Sequence, residues 1–421
     1  MDQIYITDIK IDHVRHLKNI EIPLSENHMK HLIITGKNGS GKTSLLDALA
    51  RYIYLITRPD YFNEQTIECE NLYPADVGFG KNNLYKIEQR SKDEKGTSKR
   101  LLVYEREISL QKTGVVIQFN ELAENTSSLF SQGKFVTAYY KADRVFKAQI
   151  PQHVEKVILK KDYSIEETPR QDFVKYLLDL KMTQALAVTG GKKEKAEQIA
   201  AWFKNFDDLL KRIFDDDSVE LVFDEETFRF TIHMNDRDSF DFNTLSSGYA
   251  AVLDIVVDLI IRMESQSDRK FDFSVAGIVL IDEIETHLHL ELQRKILDLL
   301  TSIFPNIQFI LSTHSPFIIN SVDNAVIYDL EKNLLVENGL SDVPYAGIVE
   351  GYFNSNEMSM LLQKKFNRYK ELVNKEKLTD EDYDEISELE MYLNEIPDYL
   401  ALNITTEYQR LKEVLRSRED I

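Results

Sequence analysis

The run GKNGSGKT at positions 36–43 constrains this chain more than any other stretch. It satisfies G-x-x-x-x-G-K-[ST], and it lies between an apolar strand-like run, HLIIT (31–35), and helical spacing from Lys42 to about Ile56. A strand, a glycine-rich turn and a helix in that order leave backbone N–H groups facing a concave loop backed by a helix N-terminus. Such a loop holds phosphate. The glycines let the backbone wrap the phosphate oxygens, Lys42 neutralises the outer ones, and the Thr43 hydroxyl ligates Mg²⁺. Asn38, Gly39, Gly41, Lys42, Thr43 and Ser44 are therefore the candidate nucleotide contacts, in a chain expected to be α/β.

Three later stretches bear on the same chemistry. LSSGYAAVLDIVVDLI (245–260) is an apolar helical run introduced by Ser246, Ser247 and Gly248, which can cap the helix or bind an anion at its free amides. VAGIVLIDEIE (275–285) is a strand ending in two carboxylates. Asp282 then stands at the strand's C-terminal edge, where Mg²⁺ beside the phosphates would lie, and Glu283 can polarise the attacking water. IQFILSTHSPFII (307–319) delivers Thr313 and His314 to the same edge, where an imidazole can bond a terminal phosphate. His287 and His289 of HLH invite a metal reading, which their separation and the lack of a cysteine weaken.

Around these motifs the periodicity switches repeatedly. Residues 3–11 and 17–22 read as a hairpin, 60–100 as irregular and polar, and 101–109 and 114–119 as antiparallel strands beside the core. Helical spacing runs from Gln171 to about Phe214, broken by VTGGKKEK, and two short strands follow at 219–223 and 228–234. From about Glu357 the chain is helical and highly charged. The carboxylates of LTDEDYDEISELE (378–390) recur along a helical face and read as solvated surface.

Composition narrows the class. A net charge of -20 over 421 residues argues against a protein that coats DNA through bulk electrostatics. Basic clusters at 81–100, 156–161 and 190–195 leave a local groove conceivable, although mixed-sign runs are usually surface. The single cysteine, Cys69, excludes an internal disulfide and fits a reducing compartment. The N-terminus lacks the order of a signal peptide and no run reaches the apolar length of a membrane span, so a cytoplasmic location without membrane partners is expected.

Phosphate loop, LSSG, VLIDE and STHS, in that order, resemble the ATP-binding-cassette ATPases, and more closely the RecF, SMC and overcoming-lysogenization-defect group. The resemblance implies an ABC-ATPase-like P-loop head with a mixed central sheet, a helical insertion and C-terminal helices. The expected divisions are an N-terminal lobe (1–144), the helical insertion (145–217), a C-terminal lobe (218–345) and a helical region (346–421). It also implies that Ser246, Ser247 and Gly248 cap the γ-phosphate held by a second subunit, with ATP and Mg²⁺ as cofactors and Glu283 and His314 as catalytic groups. Departures are small: Val14 stands where an aromatic usually precedes the arginine, LSSGY replaces LSGGE or LSGGQ, and Leu290 replaces a proline. No glutamine loop is assigned; VTAYYKADR (136–144), ending at Arg144, is the candidate region.

Small bacterial ATPases of the Septu, PARIS and retron-associated systems are similar in motif order and size, which implies an ATP-hydrolysing switch in anti-phage defence. That reading implies a homodimer or higher oligomer and a separate effector, a nuclease or toxin. Two alternatives stand beside it: a RecF-like repair ATPase that binds DNA and loads partners, and a scaffold that hydrolyses ATP slowly.

Overall fold

The computed structural model describes residues 3–58, 113–144, 146–151, 153–267, 270–337, 339–340, 360–375, 377–394 and 402–417. The strand expected at 101–109, the basic cluster at 81–100 and Cys69 lie outside them. The chain divides into two compact units, Met1–Val343 and Pro344–Ile421.

The first unit is built on a six-stranded sheet in the order β11-β10-β3-β9-β8-β5. Its strands are β3 (His31–Thr35), β5 (Phe135–Tyr140), β8 (Ala276–Ile281), β9 (Ile307–Ser312), β10 (Ala325–Asp329) and β11 (Leu334–Val336). All neighbours run parallel except β11, which pairs antiparallel with β10, so the sheet is mixed. Every residue of β3, β9 and β10 is buried, as continuous apolar strands covered on both faces must be. In-register pairs at the carboxyl ends, Ile34 with Ser312, Thr35 with Asp329, and Tyr140 with Ile281, bring those ends to one edge. Loops leaving such an edge are where α/β sheets bind ligands.

Beside it lies an antiparallel sheet, β2-β1-β4, made of β1 (Ile6–Val14), β2 (Leu17–Pro23) and β4 (Val115–Phe119). Helix α1 (Lys42–Ile56) buries Leu45, Leu46, Leu49, Tyr52 and Ile53 in the cluster that joins the two sheets. A short helix α2 (Ala123–Ser131) precedes β5. Helices α3 (Phe173–Thr189) and α4 (Lys193–Phe214) form a hairpin whose break is shorter than VTGGKKEK suggests: Gly190–Lys192 alone. Trp202 fills its centre, stacked on Phe206 and edge-on to Tyr176. The hairpin β6 (Glu220–Asp224) and β7 (Arg229–His233) leads to α5 (Ser247–Ser267), and α6 (Leu290–Ile303) and α7 (Pro316–Ile319) flank β9.

The second unit contains α8 (Met360–Val373), α9 (Asp380–Asn394) and α10 (Leu402–Arg416), packed around Phe366, Tyr369, Leu389 and Tyr408. Several carboxylates of α9 are bound rather than merely solvated. Asp382 accepts from Lys375 and from the Thr379 amide, Glu385 pairs with Arg368, and Glu390 accepts from the Tyr369 hydroxyl.

Candidate functional site

The phosphate loop leaves the end of β3 and turns back into α1. Gly36 and Gly41 adopt φ of 128° and 102°, and a Cβ at either would crowd its neighbours. At Gly36 it would stand 3.0 Å from Ser40 Oγ, and at Gly41 3.1 Å from the His16 ring. Only glycine fits both the dihedral and the space. The loop is held on two sides. His16 Nε2 donates to the Ser40 carbonyl (3.0 Å), and Lys37 pairs with Glu331 (2.6 Å), just beyond β10. Lys42 is buried and donates to the carbonyls of Gly36 (2.8 Å) and Lys37 (3.1 Å). Asn38, Gly39 and Thr43 are exposed, whereas Ser44 is buried.

The acidic pair follows β8. Asp282 is buried and accepts from Ser312 Oγ at 2.5 Å, and the same hydroxyl oxygen accepts from the Glu283 amide at 2.8 Å. Ser312 thus ties the end of β9 to both acids. Glu283 has φ of 45°, a left-handed conformation that a non-glycine residue keeps only when its surroundings enforce it. Arg144, which ends the candidate region after β5, is buried and donates to the carbonyls of Asp282, Glu283 and Ile284.

His314 follows β9 at the same edge, and its amide donates to Glu285 Oε1 (2.5 Å). Burial lowers the imidazole pKa, as does Lys42, while Glu285, Glu283 and Asp282 pull it up; the net direction favours the neutral ring. Burial likewise lowers the Lys42 pKa, opposed by Glu283, Glu285, Asp282 and Asp329. These influences link lysine, acids and histidine in one electrostatic cluster. Among the buried polar atoms at this edge, Thr35 Oγ1, Ser40 Oγ, Arg144 Nε, Glu285 Oε2 and His314 Nε2 have no hydrogen-bond partner among the described residues. Buried donors and acceptors are normally satisfied, so this concentration fits a polar ligand. Asp282 and Thr43 offer hard oxygen donors suited to Mg²⁺. Among the described residues no cluster of three or more His, Cys, Asp or Glu could hold a metal by itself, and Mg²⁺ is commonly bound by one or two protein oxygens with phosphate completing the sphere.

Ser246, Ser247 and Gly248 stand at the start of α5, the serines exposed and the glycine buried. No hydrogen bond or ion pair among the described residues joins them to the phosphate loop. A Cβ on Gly248 would meet the His287 carbonyl at 3.2 Å, so the start of α5 lies against the segment that follows the acidic pair. His289 is the N-cap of α6, and Leu290 is its first residue. Proline loses nothing at that position, which explains why the resemblance tolerates either residue there. Lys156, Lys192 and Lys195, from two of the basic clusters, line one cavity of about 890 Å³ together with Glu155, Asp179 and Glu194. The charges there balance.

Sequence reasoning missed Ser312, Glu285 and His16, and the polar stripe inside α5. Asp254, Asp258 and Arg262 are buried on successive turns of that helix, and the i, i+4 spacing in an otherwise apolar run was the available signal. Arg262 donates to Asp258 (2.7 Å) and to the carbonyls of Thr137, Tyr163, Ser164 and Glu167.

The chain is 26% identical over 221 residues to the Septu protein PtuA of Bacillus mycoides (strain KBAB4), covering 52% of this chain and 27% of that one. It is 32% identical over 147 residues to the retron Ec83 probable ATPase of Escherichia coli, covering 33% and 26%. The matched segments thus span about a quarter of the length of these curated relatives. A solved SMC head bound to the C-winged helix domain of ScpA is similar at 13% identity and a TM-score of 0.39, over 81% of this chain and 100% of that one. Among the described residues no helix is long and apolar enough to cross a membrane. With the pattern matching residues 32–320, the chain belongs to the family described as AAA domain, putative AbiEii toxin, Type IV TA system.

Proposed function

We propose that this chain binds and hydrolyses ATP as a switch of an anti-phage defence system, its heads pairing around Mg-ATP to control a separate effector. The observation that carries the hydrolytic part is the meeting, at one sheet edge, of a glycine-gated phosphate loop, a strained and clamped Glu283, and a His314 whose buried Nε2 has no partner among the described residues. The loop amides and Lys42 hold the β- and γ-phosphates, Glu283 orients and polarises the attacking water, and His314 Nε2 bonds the terminal phosphate. Asp282 and Thr43 would hold Mg²⁺, which supplies charge neutralisation when bound. Ser246 and Ser247 are exposed at the head of a helix, beside the buried Gly248 and without bonds to their own loop, which supports use of the three against the nucleotide of a second copy. The division at 1–144, 145–217, 218–345 and 346–421 remains our assignment of lobes, insertion and helical region. Relatives named for Septu and retron systems support the defence role.

The test is Glu283→Gln. The parent is expected to hydrolyse ATP, and the variant to lose about 100- to 1,000-fold in kcat while still binding ATP, as when one preorganised transition-state group is removed. With Mg-ATP the variant should double in mass by light scattering. Undiminished hydrolysis would remove the role given to Glu283, and a monomer at saturating Mg-ATP would remove the pairing of heads.

A further inference from the structure

Three consecutive carbonyls of the turn that carries Glu283 end on one side chain. Arg144 NH1 donates to Asp282 O (3.0 Å), and NH2 donates to Glu283 O (3.3 Å) and Ile284 O (2.9 Å). Pairing of Tyr140 with Ile281 brings Arg144 and the acids out at the same edge from adjacent strands. On the other side, Ser312 Oγ accepts from the Glu283 amide. The left-handed turn is therefore gripped from the ends of β5 and β9 at once. A guanidinium suits this task because its donors are fixed in a plane and stay charged when buried.

Arg144 also lies in the field of a carboxylate of α5. Burial lowers its pKa, and among the charges that oppose this Asp254 comes first, ahead of Glu285 and Asp282. Asp254 lies within two turns of Gly248 on the same helix and is fully buried. Its Oδ1 meets Arg170 Nε at 2.5 Å, while its Oδ2 and the Arg144 Nε have no hydrogen-bond partner among the described residues. Neither the phosphate chemistry nor the proposed contact across two copies uses these groups.

We infer that Arg144 positions Glu283 for hydrolysis by holding the three carbonyls of its turn. The inference rests on the ATPase reading.

The test uses the full chain and measures both steady-state hydrolysis and equilibrium Mg-ATP binding. Arg144→Met is expected to lower kcat by about a hundredfold, the scale of a ~1 Å misplacement of a catalytic group. The Kd for Mg-ATP should change less than about threefold, because the lost contact acts in the transition state. Arg144→Lys should recover part of kcat. Arg144→Met combined with Glu283→Gln should be no slower than Glu283→Gln alone, since the arginine acts through that carboxylate. Parental kcat in Arg144→Met, with a parent whose rate depends on Glu283, overturns the inference and leaves the ATPase reading intact. A parent without Glu283-dependent hydrolysis overturns both. If Arg144→Met does not fold, parental kcat in Arg144→Gln overturns the inference equally.

Discussion

At His314, Lys42 and Asp254 the largest influence on protonation is burial, but the consequences differ. For the histidine, burial favours the neutral ring that a phosphate contact can use. For Asp254, burial raises the carboxyl pKa from 3.8 to about 6, with Asp258 also raising it and Arg170 and Arg144 lowering it. A carboxyl whose folded pKa exceeds its unfolded value binds its proton more tightly when folded. Its cost to stability is absent below about pH 4, grows as pH rises towards 6, and is complete above. Asp254→Asn should therefore be more stable than the parent at pH 7.5 by up to about 3 kcal/mol, an advantage that shrinks as pH falls to about 4.5. Denaturant melts at both pH values check this.

The elements carrying phosphate chemistry were legible because each motif advertises its own local structure. HLIIT before the glycines and helical spacing after them located β3 and α1, and the acids of VLIDE ended a strand where expected. Arg144 was found only as the end of a region without an assigned glutamine loop. Its work depends on β5 lying beside β8, a pairing between segments far apart in sequence that no local pattern reveals. The balance of charge around Lys156, Lys192 and Lys195 was hidden for the same reason. Gly277 in β8 is another case. A Cβ there would stand 2.3 Å from the Val136 carbonyl and 2.8 Å from Ile307 Cδ1, so the glycine allows β8 to pass between β5 and β9. Gly277→Ala should cost about 1–3 kcal/mol by overpacking. A parental melting curve for that variant would show that the three strands can part without penalty.

At the scale of the whole molecule the two compact units have separate cores. A chain ending at Val343 should fold cooperatively and bind Mg-ATP with an affinity within about threefold of the parent, because Lys42, Asp282, Glu283 and His314 all lie in the first unit. Isothermal titration of the truncated chain decides the matter; loss of binding would mean that the second unit completes the site. The strand order carries one more consequence, for the time at which the protein becomes competent. β3 emerges early, yet both of its neighbours, β9 and β10, come from the last third of the first unit. At ~5–20 residues per second, the phosphate loop waits for about a quarter of a minute to a minute on the ribosome before any strand can flank it. A nascent chain that has not yet reached the end of β8 therefore carries the complete loop sequence but no acids and no histidine to set against it.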